Sequence, residues 1–358
     1  MINLDNKDEL LKNLGGDSVV ISINSLHKQL EQSLSESQQV NLPDDYRSAH
    51  SVYVCGMGGS RFPALINYYL FKTQLRVPMI INDDYIVPGS VNETSLVILS
   101  SYSGSTEEVL YCAEEAKKRK AKILTISSGG ALADWAKQNG YPSYVFNTVH
   151  NPSQQPRIGF GYSVGANIGV LLHLGMIDID PKQITDAITK LPGLMQNFSI
   201  DIPKNENHAK QLADAIYNRY PYYLVSEFLT GIGNAIQNQT NETAKAISSY
   251  RVIPELNHHM MEGLKFPVDL KEMAVFILFH SSFYSERIQK RFLVTKEVIE
   301  KNNISTIWHE LRGETTIEQA FELMGLGSYV SMYLAALYEQ DPNAIPYVDY
   351  FKSKLKQM

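Results

Sequence analysis

Ser95-Leu96-Val97-Ile98-Leu99-Ser100-Ser101-Tyr102-Ser103-Gly104-Ser105-Thr106-Glu107-Glu108 is the stretch whose reading decides the fold. Its apolar start, Ser95 to Leu99, reads as a buried strand. Glu107 to Lys118 reads as a helix, with acids in its first turn and bases in its last. A loop of hydroxyls and one glycine therefore joins a strand's C-terminal end to a helix's N-terminus. That end of a helix leaves backbone N–H groups unpaired and carries partial positive charge, which suits a phosphate dianion. Ser101, Ser103 and Thr106 add hydroxyl donors, and Gly104 allows close backbone approach. No lysine follows the glycine as in a P-loop, so a nucleotide cradle of that kind is excluded. A plain helix cap needs one hydroxyl; three in six residues point to phosphate.

Outward from this unit, strand and helix patterns alternate. Strands are expected at Ser51–Cys55, Pro78–Asn82, Lys122–Ile126 and Pro142–Phe146, and helices at Ser60–Lys72 and Ala131–Gln138. A helical arm, Lys7 to Ser37, precedes them, and helical patterns at Ile158–Leu174 and Pro181–Asn197 follow. Such alternation predicts a parallel sheet covered by helices on both faces. Ser199 to Asn207 reads as a linker. Beyond it a second set runs through a strand near Tyr222–Val225, a helix over Gly231–Ser249 and a strand at Met273–Phe279. A helix over Ser285–Lys301, a strand at Ile304–Trp308, one or two helices in Thr316–Tyr338 and an amphipathic tail complete it. The expected fold class is α/β, with domains over residues 1–200 and 201–358, each of ordinary size for its own core.

Composition narrows the function. The chain has 358 residues, 44% hydrophobic and 20% charged, with net charge -6, so neither nucleic acid nor an anionic membrane is an expected partner. Two cysteines, Cys55 and Cys112, have no metal-ligand spacing and suggest a reducing, cytoplasmic setting. No apolar run of about 18 residues is evident, so no membrane span is expected. The first strand ends in Cys55-Gly56-Met57-Gly58-Gly59-Ser60, whose spacing is wrong for a dinucleotide fingerprint. Gly58, Gly59 and Ser60 instead permit a tight turn that faces a polar ligand beside the Ser/Thr loop.

Gly56-Met57-Gly58-Gly59-Ser60 together with Ser101 to Glu108 resembles the sugar isomerase (SIS) domain. Further motifs in order resemble the bifunctional phosphoglucose/phosphomannose isomerases, built from two SIS domains. They are Gln155-Pro156-Arg157, Asn241-Glu242-Thr243-Ala244-Lys245, Pro254-Glu255-Leu256-Asn257-His258 and Val348-Asp349-Tyr350-Phe351-Lys352. The resemblance implies two three-layer αβα domains with parallel sheets, plus the helical arm and tail. It implies isomerisation of glucose 6-phosphate, and of mannose 6-phosphate, to fructose 6-phosphate through a cis-enediol, with no metal and no cofactor. Glu242 would be the proton-shuttling base and Arg157 the cation that steadies the enediolate. His258 would open the sugar ring from the neighbouring subunit of a homodimer, with Lys352 assisting. Gly58, Gly59, Ser60, Ser101, Ser103 and Thr106 would hold the phosphate of a phosphorylated hexose. Arg61, Ser105 and His259-Met260 depart from the family pattern, and Val225-Ser226-Glu227-Phe228 lacks the glycine turn that would let the second domain bind phosphate. A noncatalytic sugar-phosphate sensor would share the loops without needing Arg157, Glu242 and His258 together. An isomerase of another phosphosugar is the second alternative.

Overall fold

Apolar residues of the N-terminal arm recur at helical spacing, and the arm folds as α1 (Lys7–Asn13), α2 (Ser18–Asn24) and α3 (Leu26–Ser37). The computed structural model describes residues 2–357. The arm is not an appendage: α3 lies along α7 (Gly161–His173), burying Leu26, Leu30 and Leu34.

The first sheet has β1 (Ser51–Cys55), β2 (Met79–Asn82), β3 (Ser95–Ser100), β4 (Lys122–Ser127) and β5 (Ser143–Val145) in the order β2-β1-β3-β4-β5. All its pairs are parallel, as the interleaved helices α4 (Phe62–Leu70), α5 (Glu107–Lys118) and α6 (Gly130–Asn139) require. Central β3 is buried at every residue, which is why it reads as a continuous apolar run rather than an alternating one.

After α8 (Pro181–Met195) and α9 (His208–Ile216), the second sheet has β6 (Tyr220–Ser226), β7 (Ser249–Ile253), β8 (Ala274–His280) and β9 (Ser305–Glu310), ordered β7-β6-β8-β9. Its pairs too are parallel, joined through α10 (Thr230–Thr243), α11 (Leu270–Met273) and α12 (Glu286–Lys301). The expected helix over Gly231–Ser249 is too long, and β7 was missed. Lys245 takes a left-handed φ of 55°, which ends the helix, and β7 is a half-buried edge strand without a clear alternation.

The expectation of two separate cores also needs correction. One apolar cluster runs from the arm through both sheets, and a smaller one fills the other face of the first sheet. The joint is helical: α4 packs on α10, and α13 (Thr316–Leu337), a single uninterrupted helix, packs on α2, α4, α8, α9 and α10. By length and composition alone α13 could cross a membrane, but it is buried within the protein from Ile317 to Leu337. The expected linker is pinned as well. Lys210 Nζ donates to the carbonyls of Ile200 and Ile202 and to Asp5 of the arm. The chain closes on α14 (Pro346–Leu355), none of whose residues is buried.

Candidate active site

Two loops leave the carboxyl ends of β1 and β3, neighbours in the first sheet, and so lie side by side. In the first, Gly58 takes φ 46° and opens a 3-10 turn, Gly58–Ser60. In the second, Gly104 takes φ 68° and sits so close to the 129–130 turn that a Cβ on it would lie 1.8 Å from the Gly129 carbonyl oxygen. The loops are tied together, because the Tyr102 N–H donates to Ser60 Oγ at 2.8 Å. Ser101 and Thr106 share a hydroxyl hydrogen bond of 2.7 Å, as Ser103 and Ser105 do at 2.9 Å. Thr106 is the N-cap residue of α5 yet makes no side-chain capping bond, so the first-turn amides of the helix have no side-chain partner there.

Pro156-Arg157 links these loops to the second half. A Cβ on Gly59 would meet Pro156 Cβ at 2.9 Å, so this glycine allows the closest part of the approach. The Arg157 side chain is 1% exposed and reaches Glu242, with Nη1 3.6 Å from Oε2. It also donates to Thr243 Oγ1 (3.2 Å), Gln155 Oε1 (2.9 Å), and the carbonyls of Pro342 (2.5 Å) and Asn343 (3.1 Å). Gln239 Nε2 holds the Arg157 carbonyl at 2.8 Å. A guanidinium whose donors are satisfied in this way keeps a fixed position and a poorly hydrated charge.

Glu242 sits in the last turn of α10 and keeps 32% of its side-chain exposure. Burial raises its pKa above the usual glutamate value, opposed by the charges of Arg157, Lys352 and Lys245. Lys352, on exposed α14, thus belongs to the electrostatic surroundings of Glu242. Lys245, to which sequence reasoning gave no role, has its pKa pulled down to about 8 by burial and the Arg157 charge. Its place three residues beyond Glu242 in the Asn241–Lys245 motif was the available signal.

His258 is not brought to this cluster within one chain. It is exposed in a 3-10 turn, Glu255–His258, beyond the carboxyl end of β7. Glu242 closes α10, which returns to the opposite edge of the same sheet. The five residues of β7 alone separate those edges, about 16 Å at the usual rise per residue.

The departures from the family pattern find partners. Arg61 pairs with Asp83 (2.6 Å) and donates to Asn234 Oδ1 (3.2 Å), so its charge is countered. Ser105 belongs to the hydroxyl pair already described, and His259 lies 3.7 Å from Glu255. In the second half Glu227 occupies the turn after β6 with φ 42°, and its carboxylate accepts from the N–H and Oγ of Ser285 ahead of α12. A carboxylate of the chain itself thus stands at the second helix N-terminus. Among the described residues, no group of three or more His, Cys, Asp or Glu is placed to hold a metal ion.

Residues 205–355 match the sequence profile of the bacterial phospho-glucose isomerase C-terminal SIS domain, and residues 45–141 match that of the SIS domain. The chain is 30% identical, over 94% of its length and 98% of the relative's, to a bifunctional phosphoglucose/phosphomannose isomerase of Caldicellulosiruptor bescii. The chain belongs to the bifunctional phosphoglucose/phosphomannose isomerase family. The family member of Aquifex aeolicus is 27% identical over 93% of this chain and 98% of its own. Among solved structures, a hypothetical protein of Thermus thermophilus superposes with TM-score 0.76 at 15% identity, covering 98% of this chain and 92% of the other, which speaks to fold alone. Family membership agrees with the two parallel sheets of the SIS type.

Proposed function

We infer that this protein interconverts glucose 6-phosphate and mannose 6-phosphate with fructose 6-phosphate by proton transfer through a cis-enediol. The observation that carries this reading is the pairing of a buried guanidinium, Arg157, four of whose five N–H groups are held by the chain, with a partly buried carboxylate, Glu242, beside two loops fit for phosphate. The phosphate rests on Ser60, Ser101, Ser103, Thr106 and the amides of the Gly58-Gly59 turn and the α5 N-terminus. Glu242, ionised, takes the proton from one carbon of the sugar and returns it to the next. A base with a raised pKa is a stronger acceptor and a better match to the working pH. Negative charge gathers on the enediolate oxygens as the proton leaves, and Arg157 already stands where it can meet that charge without reorganising.

Ring opening is assigned to Lys352 and to His258 of a second copy. The exposure of His258 and its distance from Glu242 within one chain support a homodimer in which each chain completes the other's site. Phosphate contacts are made equally to substrate and transition state, so they set KM more than kcat.

The test is turnover of the three hexose phosphates by the purified chain with EDTA present, in deuterated water, beside Glu242→Gln. The expected result is interconversion with solvent deuterium entering at C2, abolished in Glu242→Gln. Tight binding without turnover would instead identify a sugar-phosphate sensor, and full activity in Glu242→Gln would remove the proposed base.

A further inference from the structure

Helix α10 ends at Thr243, and the left-handed turn at Lys245 redirects the chain beside the loop that follows α13. Lys245 Nζ donates to the carbonyl of Thr243 at 3.1 Å and to the carbonyl of Asp341. Arg157 Nη2 donates to the next two carbonyls, Pro342 and Asn343. Three successive carbonyls of one loop are thus held by two cations, each beside Glu242. The loop is also stiffened from within, since the Asn343 N–H donates to Asp341 Oδ1 at 2.8 Å.

Three residues after Asn343 the exposed helix α14 begins. It does not close tightly on the body. A cavity of about 730 Å³ separates its first turn from the start of β6, lined by Tyr220, Lys245, Tyr338, Asp341, Pro346 and Tyr347. With no buried face of its own, α14 takes its position from the loop before it.

We propose that Lys245 is a positioning residue which, with Arg157, latches the 341–343 loop and so sets helix α14 and Lys352 against Glu242. The proposal rests on the isomerase reading for the role of Lys352, whereas the latch itself concerns the chain alone. A carbonyl accepts and never donates, and the Lys245 ammonium, with three N–H donors, holds the carbonyls of Thr243 and Asp341 together. Arg157 holds two of the three carbonyls without Lys245, so removing Lys245 loosens the loop rather than unfolding it.

Two measurements test this on the full-length protein. The first is hydrogen exchange of residues 344–357 in Lys245→Met and Lys245→Arg. The second is steady-state kinetics on the hexose phosphates for Lys245→Met, Lys352→Met and the double variant. Lys245→Met is expected to speed α14 exchange about tenfold. It should lower kcat about tenfold with KM within about twofold, since a displaced ring-opening group acts on turnover rather than on phosphate binding. Lys245→Arg, which keeps a charged donor, should restore most of both. In the Lys352→Met background, Lys245→Met should cost less than about twofold more, because the two residues act through one path. Unchanged α14 exchange in Lys245→Met, or losses that multiply in full in the double variant, would overturn the latch. Unchanged turnover in Lys352→Met would count against the role of Lys352, leaving exchange to decide the latch.

Discussion

Replacing Arg157 by methionine tests the centre of the site through stability as well as rate. Methionine keeps much of the length and apolar bulk but removes every donor. Pro342 O and Thr243 Oγ1 would then be left in buried surroundings without their partner, at about 1–3 kcal/mol each. Gln155 and Asn343 are partly buried at their contacts and can turn to water. Against this stands the relief of burying a charge: burial lowers the Arg157 pKa, so the fold disfavours its ionised form. The two sides leave a net loss of about 2–4 kcal/mol. Urea unfolding followed by tryptophan fluorescence reads it, since Trp135 on α6 reports the first sheet and Trp308 on β9 the second. Because Arg157 joins the two halves, both signals should shift together. The rate should fall by about 100- to 1000-fold, as for loss of one preorganised donor to a developing oxyanion. Arg157→Lys keeps the charge but has three donors for four acceptors, and should fall between in both assays. A midpoint shift worth less than about 0.5 kcal/mol in Arg157→Met would refute the buried network. Unchanged kcat would refute the electrostatic role.

Ser101→Ala, which removes the hydroxyl bonded to Thr106, should raise KM about tenfold and leave kcat within about threefold, with inhibition by inorganic phosphate weakened in parallel. In pH profiles of the parent, kcat/KM should fall on acidification through a pKa above the ordinary glutamate value, since Glu242 must be ionised and burial raises it; a limb at or below that ordinary value would count against Glu242 as the base. For stability the sign reverses. A carboxyl raised on folding binds its proton more tightly in the native state, so stability falls as pH rises from the unfolded value of 4.5 through the folded one. Glu242→Gln, free of that loss, should be no less stable than the parent at neutral pH in urea titrations. Finally, inactive Glu242→Gln and inactive His258→Gln chains, mixed and refolded together, should recover about a quarter of parental activity, because half the dimers hold one intact site. No recovery on mixing would refute the shared site.

The first sheet was legible almost to the residue. Ser51–Cys55 and Glu107–Lys118 match the expected bounds because buried parallel strands are continuously apolar and α5 carries acids and bases at the proper ends. The second sheet was less so. Its edge strand β7 is half-buried, and the polar run Thr240 to Thr243 gave no sign that the helix stops at a left-handed lysine. The shared core was hidden for another reason: beyond Glu322 α13 has no polar face wide enough to orient it, and a sequence does not say which neighbours surround such a helix. In the site, the hydroxyl loop, Arg157 and Glu242 were visible as residue types in order. What Arg157 holds was not, because two of its acceptors are backbone carbonyls 185 and 186 residues away. Carbonyls carry no sequence signal, and Lys245 was overlooked with them.

The placement of α13 also constrains how the chain is made. This helix fills the space between α2, α4, α8, α9 and α10, yet it is synthesised after all of them. Until Leu337 has left the ribosome, the apolar faces of both halves wait for their common partner. Synthesis from the end of α8, at Met195, to Leu337 takes about 7–30 s at ordinary translation speeds. Throughout that time the first sheet exists with its inner helices uncovered, a natural substrate for chaperones that bind exposed apolar surface. A chain cut short before α13 would therefore leave the inner helices of both halves without their common partner.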